Sequence, residues 1–414
     1  MFSQSKGNET NIKLPFSFIA FSMFAMVLSQ LLLLLNGEQL ISGTYRIPAI
    51  WSAAHLFILG WALMVAMGAM YQLVPVAFLT PIWNEKFGFA QFSVTAVGIA
   101  AFAATLYISP QDALIPGILT LTGILMFLFQ MFMTLKSQAK PNILTLFVGS
   151  ALISLLAAVI LGIMLVLSIR TGFASNHYQV IFKSHLVMGT AGWFTLLIFG
   201  FSYKMVPMFS LSHGYSMKPA PFIFTIYFSG IIALLLSIIF NSHLIQSTGT
   251  FLLFAGFLLF TWHIKKIIDK RVKKNLDRPF MFALLAIGCG AAIHLLTFVI
   301  SAAGLLPKFA GPLLFLYLIA WIAFSIIGYL YKIVPFLWWT YKYSKEIGKQ
   351  KVPSLKEMMD ERMALPLFIL FTAGVFILVF SFTAKWMYLF YLGQVLLLIA
   401  ATLFSMTIAK VIRK

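Results

Sequence analysis

The sequence predicts an all-α integral membrane protein of about twelve transmembrane helices, grouped as three four-helix arcs related by a pseudo-threefold repeat. Three observations predict it. The 414 residues are 61% hydrophobic and only 9% charged, where a soluble domain carries about 25% charged residues. Apolar runs of about eighteen residues or more, long enough to cross a bilayer as helix, recur from end to end. A third sign is one short pattern that occurs three times at nearly equal spacing.

In order, the apolar runs predict spans at 14–35, 49–80, 84–108, 113–135, 141–169, 180–212, 220–241, 243–267, 279–304, 310–340, 363–382 and 385–412. The link between 169 and 180 is short, and no loop is long enough for a separate soluble domain. The chain therefore reads as a single membrane domain over 1–414, with repeat units of approximately 14–135, 141–267 and 279–412. No small-residue cleavage site follows the first run, whose length suits a spanning helix, so a cleaved signal peptide is not expected.

The net charge of +19 raises the question of nucleic acid, and the distribution of the charge answers it. Of 29 Lys and Arg, 22 fall on the side that holds both ends and the even-numbered loops, with seven in 265–278 and six in 341–362. The opposite side holds Arg46, Arg170, Lys183, Lys308 and Lys385, while Lys204 and Lys332 sit inside helix ends. Basic residues stay on the cytoplasmic side, so both termini are expected to be cytoplasmic, with a bacterial cytoplasmic membrane as the expected location. The charge is a topology signal; no nucleic-acid partner is implied. The bilayer itself is the expected partner, with anionic lipid at the two basic loops.

The repeat is read from GWALMVAMGAMYQLVP at 60–75, GWFTLLIFGFSYKMVP at 192–207 and AWIAFSIIGYLYKIVP at 320–335. Each fits [GA]-W-x6-G-x2-Y-[QK]-x-V-P. It aligns Trp61, Trp193 and Trp321; Gly68, Gly200 and Gly328; Tyr71, Tyr203 and Tyr331; and Pro75, Pro207 and Pro335. A spaced internal repeat describes the whole fold, and here it falls on the second, sixth and tenth spans, making the unit four helices. At 100° per residue, Trp, Gly and Pro lie within roughly 40° of one another on the helix. Gly on that face lets a neighbouring backbone approach. Pro kinks or ends the helix where neighbours satisfy the freed carbonyl. Tyr is expected in an interfacial aromatic belt, with Lys204 and Lys332 snorkelling to the headgroups.

The acidic residues Glu9, Glu38, Glu85, Asp112, Asp269, Asp277, Glu346, Glu357, Asp360 and Glu361 all lie in loops or at helix ends. A proton-coupled carrier generally needs an intramembrane carboxylate, and none is present. The interior carries histidine instead. His55, His185 and His294 are expected at one depth in the outer half of the membrane, with His177 and His243 near the outer surface and His213 and His263 at the cytoplasmic side. Imidazole in hydrocarbon needs a partner and is a strong ligand for haem iron and copper. The alternative is a hydrogen bond across helices to Ser, Tyr or a carbonyl. His55 precedes its Trp by six residues and His185 by eight, which points their side chains to faces about 160° apart relative to the repeat.

Twelve helices in three arcs, with the stretch from His55 through Gly68 to LVPVAF, resemble subunit I of the haem-copper oxidase superfamily. The segments HLFILGWALMVAMGAMYQLVP and HLVMGTAGWFTLLIFGFSYKMVP also resemble the smaller NnrS-type haem-copper membrane proteins. The resemblance implies His55 as an axial ligand of a b-type haem. It places His185 where a copper ligand is expected, so that His55 and His185 are the candidate metal ligands and His294 a further cofactor-binding candidate. It implies a redox partner or a diatomic gas such as nitric oxide as the other party. The sequence departs from the oxidase pattern in ways that bear on function. Phe315 stands where His55 stands in the first copy, and Leu313 where His185 stands in the second. The seventh span has no histidine pair, and the eighth no interior lysine. A complete oxygen-reducing centre is therefore not expected, and no catalytic residue is assigned.

Two other readings are carried. In one, the chain is a transporter or chaperone for copper, haem or another small solute, with the histidines as transient ligands and Met64, Met67, Met70, Met205 and Met208 as soft ligands for copper or as plain packing. In the other it is an accessory subunit that docks a partner through its basic loops. Cys289, the single cysteine, excludes intrachain disulfides and all-Cys metal sites.

Overall fold

The computed structural model describes residues 10–138, 140–359 and 362–413. Lys6, Glu9, Asp360, Glu361 and Lys414, read above as loop or terminal charges, lie outside them. Among the described residues twelve helices are long and apolar enough to cross a membrane. They are α1 (Lys13–Leu35), α2 (Pro48–Phe78), α3 (Glu85–Ile108), α4 (Leu114–Lys136), α5 (Ile143–Thr171), α6 (Ser175–Ser210), α7 (Pro219–Phe240), α8 (His243–Asp269), α9 (Arg278–Ala302), α10 (Leu306–Glu346), α11 (Ala364–Ala384) and α12 (Met387–Ile412). Extended structure among the described residues is confined to isolated bridges, Ser212 with Arg271 and Ile347 with Gln350.

Local chemistry starts these helices where it should. The Asn84 side chain accepts from the Phe87 N–H at the start of α3, and Ser242 does the same for Ile245 at the start of α8. Asn142 and Thr145 cap each other's backbone at the start of α5, a reciprocal arrangement that satisfies donors no helical carbonyl can reach. Pro48, Pro219 and Pro279 occupy first turns, where the missing N–H costs nothing.

The helices gather into two compact units, one of residues 1–137, 278–282 and 326–414, the other of 138–277 and 283–325. Two of these boundaries coincide with edges of the sequence repeats, and the third repeat is divided between the units. In the first unit α1 packs along α2 and against α12, and α3 pairs with α4 and α11 with α12. A buried amide pair ties the two ends of the chain together there: Gln394 Nε2 donates to Gln30 O at 3.1 Å and to Gln30 Oε1 at 3.0 Å. In the second unit α5 packs along α6, and the α7–α8 pair packs against the other side of α6.

The motif helices are the inward ones. In α2, α6 and α10, 72% of the most apolar stretch is buried, against 28–44% in the other spans. Trp61, Trp193 and Trp321 are all buried. Gly68 meets α1, where an added Cβ would lie 2.9 Å from both Phe18 Cβ and Pro15 O. Gly200 meets α5, 3.0 Å from Phe147 Cβ. The close approach expected of these glycines is thus present at both positions.

Two details of the motif differ from expectation. Each copy contains a π-helical stretch, Leu56–Leu63, Met188–Thr195 and Tyr317–Ala323, enclosing its Trp. A π turn closes i→i+5 bonds and takes up an extra residue per turn, so each residue advances by less than 100°. The angles assigned above between histidine and Trp, and between Trp and Gly, do not survive that change. Gly60 and Gly192, the residues before Trp, meet the same neighbours as Gly68 and Gly200, at 2.7 Å from Ala25 Cβ in α1 and from Ser154 Cβ in α5. The second difference is tyrosine. An aromatic belt faces lipid, whereas Tyr71, Tyr203 and Tyr331 are buried within the protein, each against a partner on another helix. Tyr71 Oη donates to Gln91 Oε1 on α3 at 3.1 Å, Tyr203 bonds to His263 on α8, and Tyr331 packs against Phe404 on α12.

Candidate functional site

The three histidines singled out from the sequence share one local arrangement. His55 Nδ1 lies 2.7 Å from Trp51 O, one turn back on α2. His185 Nδ1 lies 2.8 Å from Ala158 O on α5. His294 Nδ1 lies 2.7 Å from Gly290 O, one turn back on α9. A carbonyl oxygen can only accept, so Nδ1 carries the proton in each and Nε2 carries the lone pair. This is the tautomer and the outer-shell bond that fix a metal-ligating imidazole.

What meets Nε2 separates His294 from His185. His294 is buried, and its Nε2 lies 3.2 Å from Tyr227 Oη. Tyr227 Oη lies 3.3 Å from Tyr317 Oη, which lies 2.6 Å from Thr195 Oγ1. Trp321 Nε1–H donates to that same Thr195 oxygen at 3.0 Å. The donor at one end and the acceptor at the other orient the whole chain: Trp321 to Thr195, Thr195 to Tyr317, Tyr317 to Tyr227, Tyr227 to His294, and His294 to Gly290 O. Every hydrogen is used once. Both nitrogens of His294 are committed in this arrangement, and a metal at Nε2 would have to displace Tyr227. Phe257 covers the imidazole at a centroid distance of 4.3 Å.

His185 is different. It is half-buried, and its Nε2 makes no hydrogen bond among the described residues. The ring rests on Gly162 of α5, where an added Cβ would lie 3.2 Å from Cε1, so glycine there is what admits the imidazole. One turn on from His185, Gly189 has only Ala158 Cβ near its own added Cβ, at 3.9 Å. The run Ser184–Thr190 is half-buried throughout. His55 belongs to the other unit, is half-buried, and meets Phe102 of α3 edge-on at 5.3 Å.

Among the described residues no three His, Cys, Asp or Glu side chains converge. The other candidates are packed away. Met64, Met67, Met70 and Met205 are buried, and Met67 Sδ accepts from Gln91 Nε2 at 3.6 Å. His263 is buried with both nitrogens used, Nε2–H donating to Ser216 O at 2.8 Å and Nδ1 accepting from Tyr203 Oη at 3.1 Å. His243 Nε2 lies 2.9 Å from Ser301 O. The indole N–H groups of Trp61 and Trp193 are buried with no partner among the described residues.

Sequence reasoning missed Thr195, Tyr227 and Tyr317. Tyr317 stood in view, two residues past Phe315, as the one hydroxyl in FLYLIAW. Tyr227 and Thr195 carry no periodic signal, since their partners come from other helices. No family model matches the chain, and no curated protein matches it.

Proposed function

We propose that the chain is a haem-binding membrane protein of the haem-copper oxidase subunit I kind, in which His55 in the first unit and His185 in the second are each a candidate axial ligand of haem b. Its work on this reading is electron transfer or the binding of a diatomic gas such as nitric oxide, without a complete oxygen-reducing centre; copper is a second candidate metal. The observation that carries it is His185, with its Nδ1 proton held by Ala158 O, its ring resting on Gly162, and its Nε2 lone pair unspent among the described residues. An imidazole costs free energy in hydrocarbon unless its lone pair has a use. These residues fit an axial ligand. Ala158 fixes the tautomer, Gly162 leaves room for the ring, and Gly189, one turn on, has only Ala158 Cβ near its own added Cβ. A bound haem b would supply a one-electron iron couple and, when five-coordinate, a position for a gas. The methionine-based copper-carrier reading gains nothing from the structure, since four of its five sulfurs are in helix packing.

The test is the optical spectrum of the purified protein, with haem supplied during expression. The expected outcome is a Soret band that His185→Ala or His55→Ala abolishes or shifts. A protein without a Soret band after supplementation would overturn the proposal.

A further inference from the structure

The loop after α6 and the loop after α8 are stitched together in the second unit. Val272 N–H donates to Leu211 O at 3.1 Å, and His213 N–H donates to Lys270 O at 3.4 Å, forming the bridge between Ser212 and Arg271. His263 pins the same loop from inside through Ser216 O, and holds Tyr203 of the repeat with its other nitrogen. The pinning displays an amphipathic ledge. Leu211 is 50% exposed and Val272 69% exposed, and the pair sits at the bridge itself. Leu211 holds a left-handed φ of 54°, a conformation that leucine rarely adopts, and Ser212 N–H closes back on Pro207 O at 3.0 Å. The same two loops and the adjoining end of α8 carry Lys218, Lys265, Lys266, Lys270, Arg271 and Lys274, all exposed. Of the neighbouring charges, Lys273 is paired with Asp277 at 2.7 Å, and Asp269 is the one other acid in the stretch 211–277. Trp262 is 46% exposed on α8, about one turn before the first of these lysines, where an indole marks the membrane–water boundary.

We infer that this ledge binds the headgroups of anionic phospholipid in the leaflet it faces, Leu211 and Val272 entering the acyl boundary while the six cations hold the phosphates. The chemistry favours lipid over a nucleic acid or an acidic protein. Exposed apolar side chains set among cations at helix ends match a surface that is apolar below and anionic above, and a polyanion in water would gain nothing from Leu211 or Val272. The inference does not depend on haem.

The experiment takes the full chain in detergent and titrates it with fluorescent phosphatidylglycerol and, separately, phosphatidylcholine of the same acyl length. The native protein is expected to prefer phosphatidylglycerol, and the preference to fall as salt is raised. Changing Lys218, Lys270, Arg271 and Lys274 together to Gln is expected to lower phosphatidylglycerol affinity by at least about 10-fold, each cation near an anionic surface being worth about 5-fold. Phosphatidylcholine affinity should stay unchanged. Leu211→Ser with Val272→Ser should weaken both lipids while keeping the preference. Equal affinity for the two lipids in the native protein would overturn the inference. So would a preference that ignores both salt and the four substitutions, or binding of a short RNA that the four substitutions abolish in the absence of any lipid preference.

Discussion

An imidazole in a membrane is defined by what each of its two nitrogens does. His55, His185 and His294 give Nδ1 the same task, a carbonyl, and His294 differs from His185 at Nε2. For His294 that nitrogen closes a chain of five side chains that ends at Trp321. The two histidines with contrasting surroundings should respond differently to truncation. His185→Ala is expected to change the haem spectrum with a small effect on melting temperature. His294→Ala is expected to leave the spectrum unchanged and lower the melting temperature, because Tyr227 loses its acceptor. A spectrum that responds to His294 and not to His185 would reverse the assignment. The chain itself is tested at its centre. Thr195→Val strands the buried Trp321 N–H and takes one partner from Tyr317, and a buried polar group left unpaired costs about 1–3 kcal/mol. A loss of that size should appear in thermal unfolding of the purified protein; no loss would mean that water replaces the threonine. The histidines were legible in the sequence because polar side chains in an apolar run announce themselves. Their partners were not, since Thr195, Tyr227 and Tyr317 meet only once α6, α7 and α10 are packed.

At the scale of the helix, the repeat was legible and its backbone was not. Spacing identified Trp, Gly, Tyr and Pro on α2, α6 and α10, and Gly68 and Gly200 make the close contacts that spacing implied. The π stretches were invisible because no residue type requires one; they are a property of how the turn is wound around Trp. They carry consequences, since π turns inside α-helices are rare and frequently mark functional positions. Deleting Gly189 removes one residue from the stretch Met188–Thr195 and should return it to ordinary α-helix. His185 would then turn by about 100° relative to everything after it on α6. The expected result is unchanged helix content by circular dichroism with loss of the haem band; retention of the band would mean that the π turn does not set the direction of His185. Close contacts are tested separately on a helix pair. An added Cβ at Gly123 of α4 would lie 2.4 Å from Thr95 Oγ1 and 2.7 Å from Thr95 Cα. Backbone stands in the way, so Gly123→Val should cost about 1–3 kcal/mol or more by forcing α3 and α4 apart, read as a lower melting temperature.

For the whole molecule, composition and the distribution of charge argue together. Twelve apolar helices among the described residues make an integral membrane protein, and the charge bias of the sequence predicts that the basic ledge and the basic residues of 341–362 face the cytoplasm. The two compact units were not legible, because the sequence repeat predicts three equal groups while contacts divide α9 and α10 between two. A repeat reports what was copied, and packing reports where each copy ends up. Orientation remains the sequence's strongest global prediction, and it can be tested with single cysteines. With Cys289 changed to Ser, cysteine is placed at Ser175, exposed at the start of α6, or at Lys349, exposed after α10. Five spans, α6 through α10, separate the two positions, so the cysteines must be on opposite sides. A membrane-impermeant maleimide added to intact cells is expected to label the Ser175→Cys protein at once and the Lys349→Cys protein only after permeabilisation. The reverse pattern would invert the molecule and place the ledge of Leu211 and Val272 on the outer leaflet. Labelling of both from one side would mean that one of the five helices does not cross.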